Sequence, residues 1–148
     1  MRLSISEIVK KACDLPTETE KVEWLKKHEN IPALRTVLKF TYDPVNIKFL
    51  IPDTPPPWKK NDFIGVEGML YNEARRLKIF IKNGGYDNLN QVKRESLFIS
   101  LLEDIDNADA EMLCKMLSQK PFEGLPSSTV FKAFPKDYPP NAVEYASK

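Results

Sequence analysis

The sequence predicts an all-α fold: a single-domain orthogonal array of seven to eight short helices. Three observations carry this expectation. Apolar residues recur at spacings of three and four in successive segments, each segment is bounded by capping residues, proline or glycine, and no run alternates apolar with polar residues as a half-buried strand would. The 148 residues suit one core, and 42% hydrophobic with 29% charged residues lies far from the composition of disordered chains.

The elements follow in order. Ile5, Ile8, Val9, Ala12 and Cys13 share a helical face, and Ser4 with Glu7 fits a capping box, which predicts a helix over 4–14. Thr17 and Glu20 repeat that box before Val22, Trp24 and Leu25, and Lys26-Lys27-His28 suits a C-terminal dipole, so a second helix is expected over 18–29. Pro32 is tolerated in a first helical turn, and Leu34, Val37 and Leu38 continue a third helix to about Tyr42, where Asp43-Pro44 punctuates the chain. Val45–Leu50 reads as a short amphipathic turn before a proline-rich connector at 51–61.

The pattern Val66, Met69, Leu70, Leu77, Phe80 and Ile81 predicts the longest helix, 65–82, closed by Asn83-Gly84-Gly85. Asn88 or Asn90 is placed to cap the next, where Val92, Leu97, Phe98, Leu101, Leu102 and Ile105 form a wide stripe suited to the middle of the core. Asn107 is expected to cap a helix running toward Lys120 with Met112, Leu113, Met116 and Leu117 buried. A last short helix spans 126–134, stopped by Pro135, so the helical unit covers 1–140 and 141–148 is an extended or frayed, flexible tail.

Charge narrows function. A formal net charge of +1 with 22 Lys and Arg means that any nucleic-acid role rests on where the cations lie. Cys13, Cys114 and His28 have no metal-ligand spacing, and neither a zinc site nor a disulfide framework is expected. The N-terminus lacks the apolar stretch of a signal peptide and no segment is long enough to span a bilayer, so a soluble protein in a reducing cytoplasm is expected. Glu103, Asp104 and Asp106 are the only clustered carboxylates considered for acid-base work; such clusters are usually solvated, and no catalytic residue or cofactor is assigned.

Between Trp58 and Arg94 the chain is locally basic: Lys59, Lys60, Arg75, Arg76, Lys78, Lys82, Lys93 and Arg94 against Asp62, Glu67, Glu73 and Asp87. On a continuous helix, Arg75, Lys78 and Lys82 would share a face able to follow phosphates; the same residues fit a solvated face partnered by Glu73. Gly124-Leu125-Pro126 leading into Ser127-Ser128-Thr129 would present amides and hydroxyls to an anion, with Lys132 one turn on, or Ser127 or Ser128 would simply cap the helix. Trp58 would stack on a base or cover the core, and Pro52–Lys60 would suit a proline-reading groove.

Two blocks carry a family resemblance. Leu34-Arg35-Thr36-Val37-Leu38-Lys39-Phe40-Thr41-Tyr42-Asp43-Pro44, followed by Lys48-Phe49, resembles the segment of ATP-dependent DNA ligase N-terminal domains where a helix stops at a Tyr-Asp-Pro-like turn before an aromatic residue. Asp109-Ala110-Glu111-Met112-Leu113, running on to Gly124-Leu125-Pro126-Ser127-Ser128-Thr129-Val130-Phe131-Lys132-Ala133-Phe134-Pro135, is similar to that family's glycine, small polar pair, short helix and aromatic-proline stop. The resemblance implies an α-helical DNA-binding domain that grips duplex backbone across the minor groove. Small standalone proteins of this kind also look like an uncharacterised family of tailed phages, which implies an accessory of phage DNA metabolism in the host cytoplasm.

The ligases' adenylation motif, a lysine followed two and three residues later by Asp-Gly, is absent, and Lys136-Asp137-Tyr138 does not replace it. Without the nucleophilic lysine no enzyme-adenylate forms, so the resemblance implies a non-catalytic protein. The expected partner is double-stranded DNA, including nicks, ends or forks, contacted without sequence reading. The alternative is a protein-interaction module on the same scaffold, docking on a replication, repair, transcription or virion protein. For DNA binding, Arg75, Arg76, Lys78, Lys93, Ser128 and Lys132 are expected to converge on one concave side.

Overall fold

The computed structural model describes residues 3–52, 57–60 and 70–147. These form eight α-helices: α1 Ile5–Asp14, α2 Glu18–Lys27, α3 Pro32–Tyr42, α4 Leu70–Glu73, α5 Gln91–Asp104, α6 Asn107–Met116, α7 Ser127–Ala133 and α8 Pro140–Ala146. Two 3-10 segments, Ala74–Phe80 and Pro135–Asp137, complete the described residues, among which the only β pairing is a single antiparallel bridge, Phe49 with Ile81. No helix among them is long and apolar enough to cross a membrane.

The caps explain the helix starts. Ser4 Oγ accepts from Glu7 N–H at 3.2 Å while Glu7 returns a bond to Ser4 N–H, and Thr17 accepts from Glu20 N–H. Asn90 rather than Asn88 caps α5. Asp106, one residue earlier than expected, caps α6 by accepting from Ala108 N–H, and α6 ends at Met116, short of Lys120, where Gln119 takes a positive φ. The Gln119 amide then donates to the carbonyls of Phe40 and Ile47, tying this turn to the end of α3.

Helix α3 is buried along most of its length, and α1, α4, α6, α7 and the first 3-10 segment gather around the core it shares with α5. Phe80 and Phe98 meet edge to face, with ring centroids 5.0 Å apart, inside a cluster that includes Leu34, Leu38, Leu77 and Leu101. Val92, expected on the buried stripe of α5, is instead 74% exposed, because the helix turns Phe98, Leu101 and Leu102 inward and leaves its first turn outside.

The two blocks that carry the ligase resemblance pack on one another. The Tyr42 hydroxyl, at the end of α3, donates to Leu125 O at 2.7 Å and accepts from Phe122 N–H at 3.0 Å. Gly124 lies at φ +87°, and a Cβ there would come within 2.6 Å of Cys13 O, so this close approach admits only glycine. Because Tyr42 is buried, Tyr42→Phe leaves two main-chain groups without their partner; a loss of about 1–3 kcal/mol is expected by urea denaturation.

Helices α1 and α6 are joined by a buried acid. Asp109, fully buried, accepts from Ser6 N–H in the first turn of α1 at 2.9 Å, and its second carboxylate oxygen has no hydrogen-bond partner among the described residues. Burial pushes its carboxyl above the ordinary aspartate range, against the hydrogen bond to Ser6. The folded state therefore holds this proton more tightly than the unfolded chain. Its contribution to stability is complete below the unfolded pKa and is lost as pH rises through the raised folded value. The Asp109→Asn variant is expected to lack this fall, a difference read from denaturation midpoints measured between mildly acid and neutral pH.

Two expectations are corrected. The helix expected over 65–82 is, in its described part, one turn of α-helix followed by a 3-10 segment, while 61–69 lies outside the described residues. Leu50 N–H donates to Phe80 O and Lys82 N–H to Lys48 O, and this pairing draws the chain out of helical geometry at Ile81. The expected extended tail instead forms α8: Pro140 occupies its first turn, where a missing N–H costs nothing, and Ala142 is buried.

Candidate nucleic-acid interface

The 3-10 segment sorts its side chains by a three-residue period. Ala74, Leu77 and Phe80 point into the core, and Arg75 and Lys78 lie on an exposed face. Arg76, on the third face, bonds Glu73 at 2.9 Å and lies 3.9 Å from Asp104. After Phe80 the bridge sets Lys48 and Lys82 opposite one another, on the exposed side away from Phe49 and Ile81. Like charges placed so are unfavourable unless something negative joins them. Gln91, at the start of α5, donates to Leu50 O beside the bridge, and the exposed Lys93 is two residues on.

Lys48, Arg75, Lys78, Lys82 and Lys93 form no ion pair among the described residues. The Lys48 ammonium donates to the Pro44 carbonyl, which leaves its charge uncompensated. Lys48 and Lys82, set opposite one another, make a basic patch with Arg75 and Lys78 on the 3-10 segment that leads into the bridge. Lys93 stands about 200° around α5 from Gln91 and is not drawn to the bridge. Sequence reasoning missed Lys48, because only strand pairing brings it to Lys82 from far along the chain.

The loop after the bridge is tightly held. Asn83 and Gly85 take positive φ, Gly84 packs where a Cβ would collide with Lys78 O, and both Asp87 carboxylate oxygens accept from Asn83 N–H. Arg94, expected among the DNA-binding residues, is only 3% exposed. Its guanidinium donates to the carbonyls of Ile79, Tyr86 and Asp87 and to the Gln91 side chain, so it braces this loop and is not available to a ligand.

The remaining candidates lie elsewhere or are occupied. Lys59 N–H bonds Glu103, and Lys60 Nζ is 3.7 Å from Glu111. Trp58 is partly buried against the core next to Cys114. Lys132 pairs with Glu18 of α2 at 2.9 Å, and Thr129 also reaches that carboxylate. Ser127 and Ser128 do not cap α7, whose N-cap is Pro126. Helix α7 packs against α2, α3 and α8, whereas the 3-10 segment packs against α3, α4 and α5. The single wall expected from Arg75, Arg76, Lys78, Lys93, Ser128 and Lys132 is therefore divided: different neighbours hold its two halves, and acids already engage Arg76 and Lys132.

The carboxylates considered for acid-base work have structural roles, Asp106 as a cap and Asp104 beside Arg76. No group of three His, Cys, Asp or Glu among the described residues is placed to hold a metal ion. A groove of about 590 Å³ lies between α1 and α6, lined by Val9, Cys13, Met112 and Phe122 with acids and lysines of both signs along its edge. Burial raises the Cys13 thiol above its ordinary pKa, which disfavours its thiolate.

No curated protein and no solved structure matches the chain. A model of a family of unknown function, DUF6433, matches residues 8–121, from the first turns of α1 to just beyond α6, and so spans α3, the bridge, the basic patch and the braced loop. The chain belongs to the DUF6433 family.

Proposed function

We propose that this protein is a non-catalytic DNA-binding accessory that holds the sugar-phosphate backbone on the patch formed by Lys48, Arg75, Lys78 and Lys82. The observation that carries the reading is that the Phe49–Ile81 bridge sets Lys48 opposite Lys82 directly after the segment that exposes Arg75 and Lys78, and that none of the four has an acidic partner among the described residues, in a chain of nearly neutral net charge. Other exposed lysines, Lys10, Lys26, Lys115 and Lys136 among them, also lack an ion pair among the described residues, so the weight rests on the like charges set opposite one another across the bridge. A patch of lysines with no rigid donor array aimed at base edges favours phosphate contact over sequence reading. The resemblance of two sequence blocks to ligase DNA-binding domains supports the same direction, and the likeness to an uncharacterised family of tailed phages favours a role in phage DNA replication, repair or recombination.

Fluorescence anisotropy on duplex DNA across a salt series tests the reading. With three or four phosphate contacts, the logarithm of affinity is expected to fall against the logarithm of salt with a slope of about −2.7 to −3.6. Unrelated duplex sequences are expected to bind alike. Absence of binding to duplex at low salt would overturn the proposal.

The groove between α1 and α6 favours a second reading, a protein-interaction module for a replication or repair partner, since its apolar floor and mixed-charge edge suit a peptide better than a phosphate chain. Substituting Met112 and Phe122 would then abolish partner capture, whereas substituting Lys78 and Lys82 would not.

A further inference from the structure

The loop of residues 82–90, beside the basic patch, is built more firmly than phosphate contact requires. Arg94 uses a buried guanidinium to hold the Tyr86 and Asp87 carbonyls, Leu89 N–H closes onto Tyr86 O, and Asp87 clamps Asn83. All of these bonds fix main chain. The side chain they present is Tyr86, 41% exposed, four residues beyond Lys82, at a depression of about 430 Å³ formed by residues 85–89.

An aromatic ring on a rigid support loses little freedom when it stacks, so its contact area is available at low entropic cost. The faces of paired bases inside an intact duplex are covered by their neighbours, whereas an unpaired base can leave the stack and lie on an aromatic side chain. The acidic Asp87 disfavours a phosphate in the depression itself and directs the backbone toward Lys78 and Lys82 instead.

We infer that Tyr86 stacks on an unpaired base while Lys78 and Lys82 hold the adjoining phosphates, so that the site selects DNA carrying unpaired nucleotides, such as a gap or a frayed end, over intact duplex. This inference rests on the DNA-binding reading of the patch and adds a preferred substrate to it.

The test compares the full-length chain on an intact duplex and on the same duplex with a short single-stranded gap. Gapped DNA is expected to bind about tenfold more tightly, on the scale of one stacked base. Tyr86→Ala is expected to remove that preference while leaving intact-duplex affinity unchanged, and Tyr86→Phe to retain it. A fluorescent adenine analogue in the gap provides a readout on the unmodified protein: stacking on Tyr86 changes its emission upon binding. Equal affinity for the two DNAs, a preference that survives Tyr86→Ala, or an unaltered analogue would overturn the inference while leaving backbone binding intact. Failure to bind either DNA would instead remove the reading beneath it.

Discussion

Replacing Lys48, Lys78 and Lys82 together by alanine is expected to weaken duplex binding by about a hundredfold at low salt and to lower the steepness of its salt dependence by about 3. The three side chains are exposed and form no ion pair among the described residues, so their removal costs the fold little. Separating Lys48 from Lys82 even relieves repulsion between like charges facing each other across the bridge, and a small rise in melting temperature is expected. Lys132→Ala provides the contrast. Its ammonium already bonds Glu18, and its loss is expected to leave DNA affinity and salt slope unchanged. Anisotropy titrations of the two variants beside the parent protein, at matched salt, measure both quantities. A triple variant that binds like the parent would locate DNA elsewhere on the molecule.

Arg94→Ala is expected to lower stability by about 3–4 kcal/mol, or roughly 10 °C in melting temperature for a chain of this size. The size follows from the environment. The guanidinium is almost completely buried and has no carboxylate partner among the described residues; three main-chain carbonyls and the Gln91 amide oxygen compensate its charge. Truncation leaves those carbonyls without their donor and opens a void between α5 and the loop. Arg94→Lys is expected to recover only part of the loss, since one ammonium cannot span carbonyls on both the 3-10 segment and the loop. Thermal unfolding followed by circular dichroism and urea denaturation measure the change. A variant as stable as the parent would return Arg94 to the ligand-binding set.

Arg94 also shows why part of the site was hidden in the sequence. Composition marks it as one more cation in a basic stretch, adjacent to Lys93 and indistinguishable from it by type. A rotation of about 100° along α5 separates an exposed lysine from a buried arginine. Lys48 is the converse case: nothing local distinguishes it, and its place in the patch depends on an antiparallel pairing with a distant segment. The stretch around Arg75 reads in sequence as a continuous helix because Leu70, Leu77, Phe80 and Ile81 satisfy a helical spacing. The bonds of the bridge decide against it, and they join segments far apart in the chain, the second of which packs on α3 and α5.

From its own residues the chain determined the all-α class, the starts of α1, α2 and α3, and the core faces of α3 and α6, because caps, proline positions and apolar periodicity act over one or two helical turns. Tertiary structure alone decided which cations stand free. Lys132 is neutralised by an acid far from it in sequence, Arg94 is drawn inside to satisfy carbonyls, and Lys48 is carried to Lys82. Charge acts through space, and a side chain's partner is set by how helices pack rather than by its neighbours along the chain.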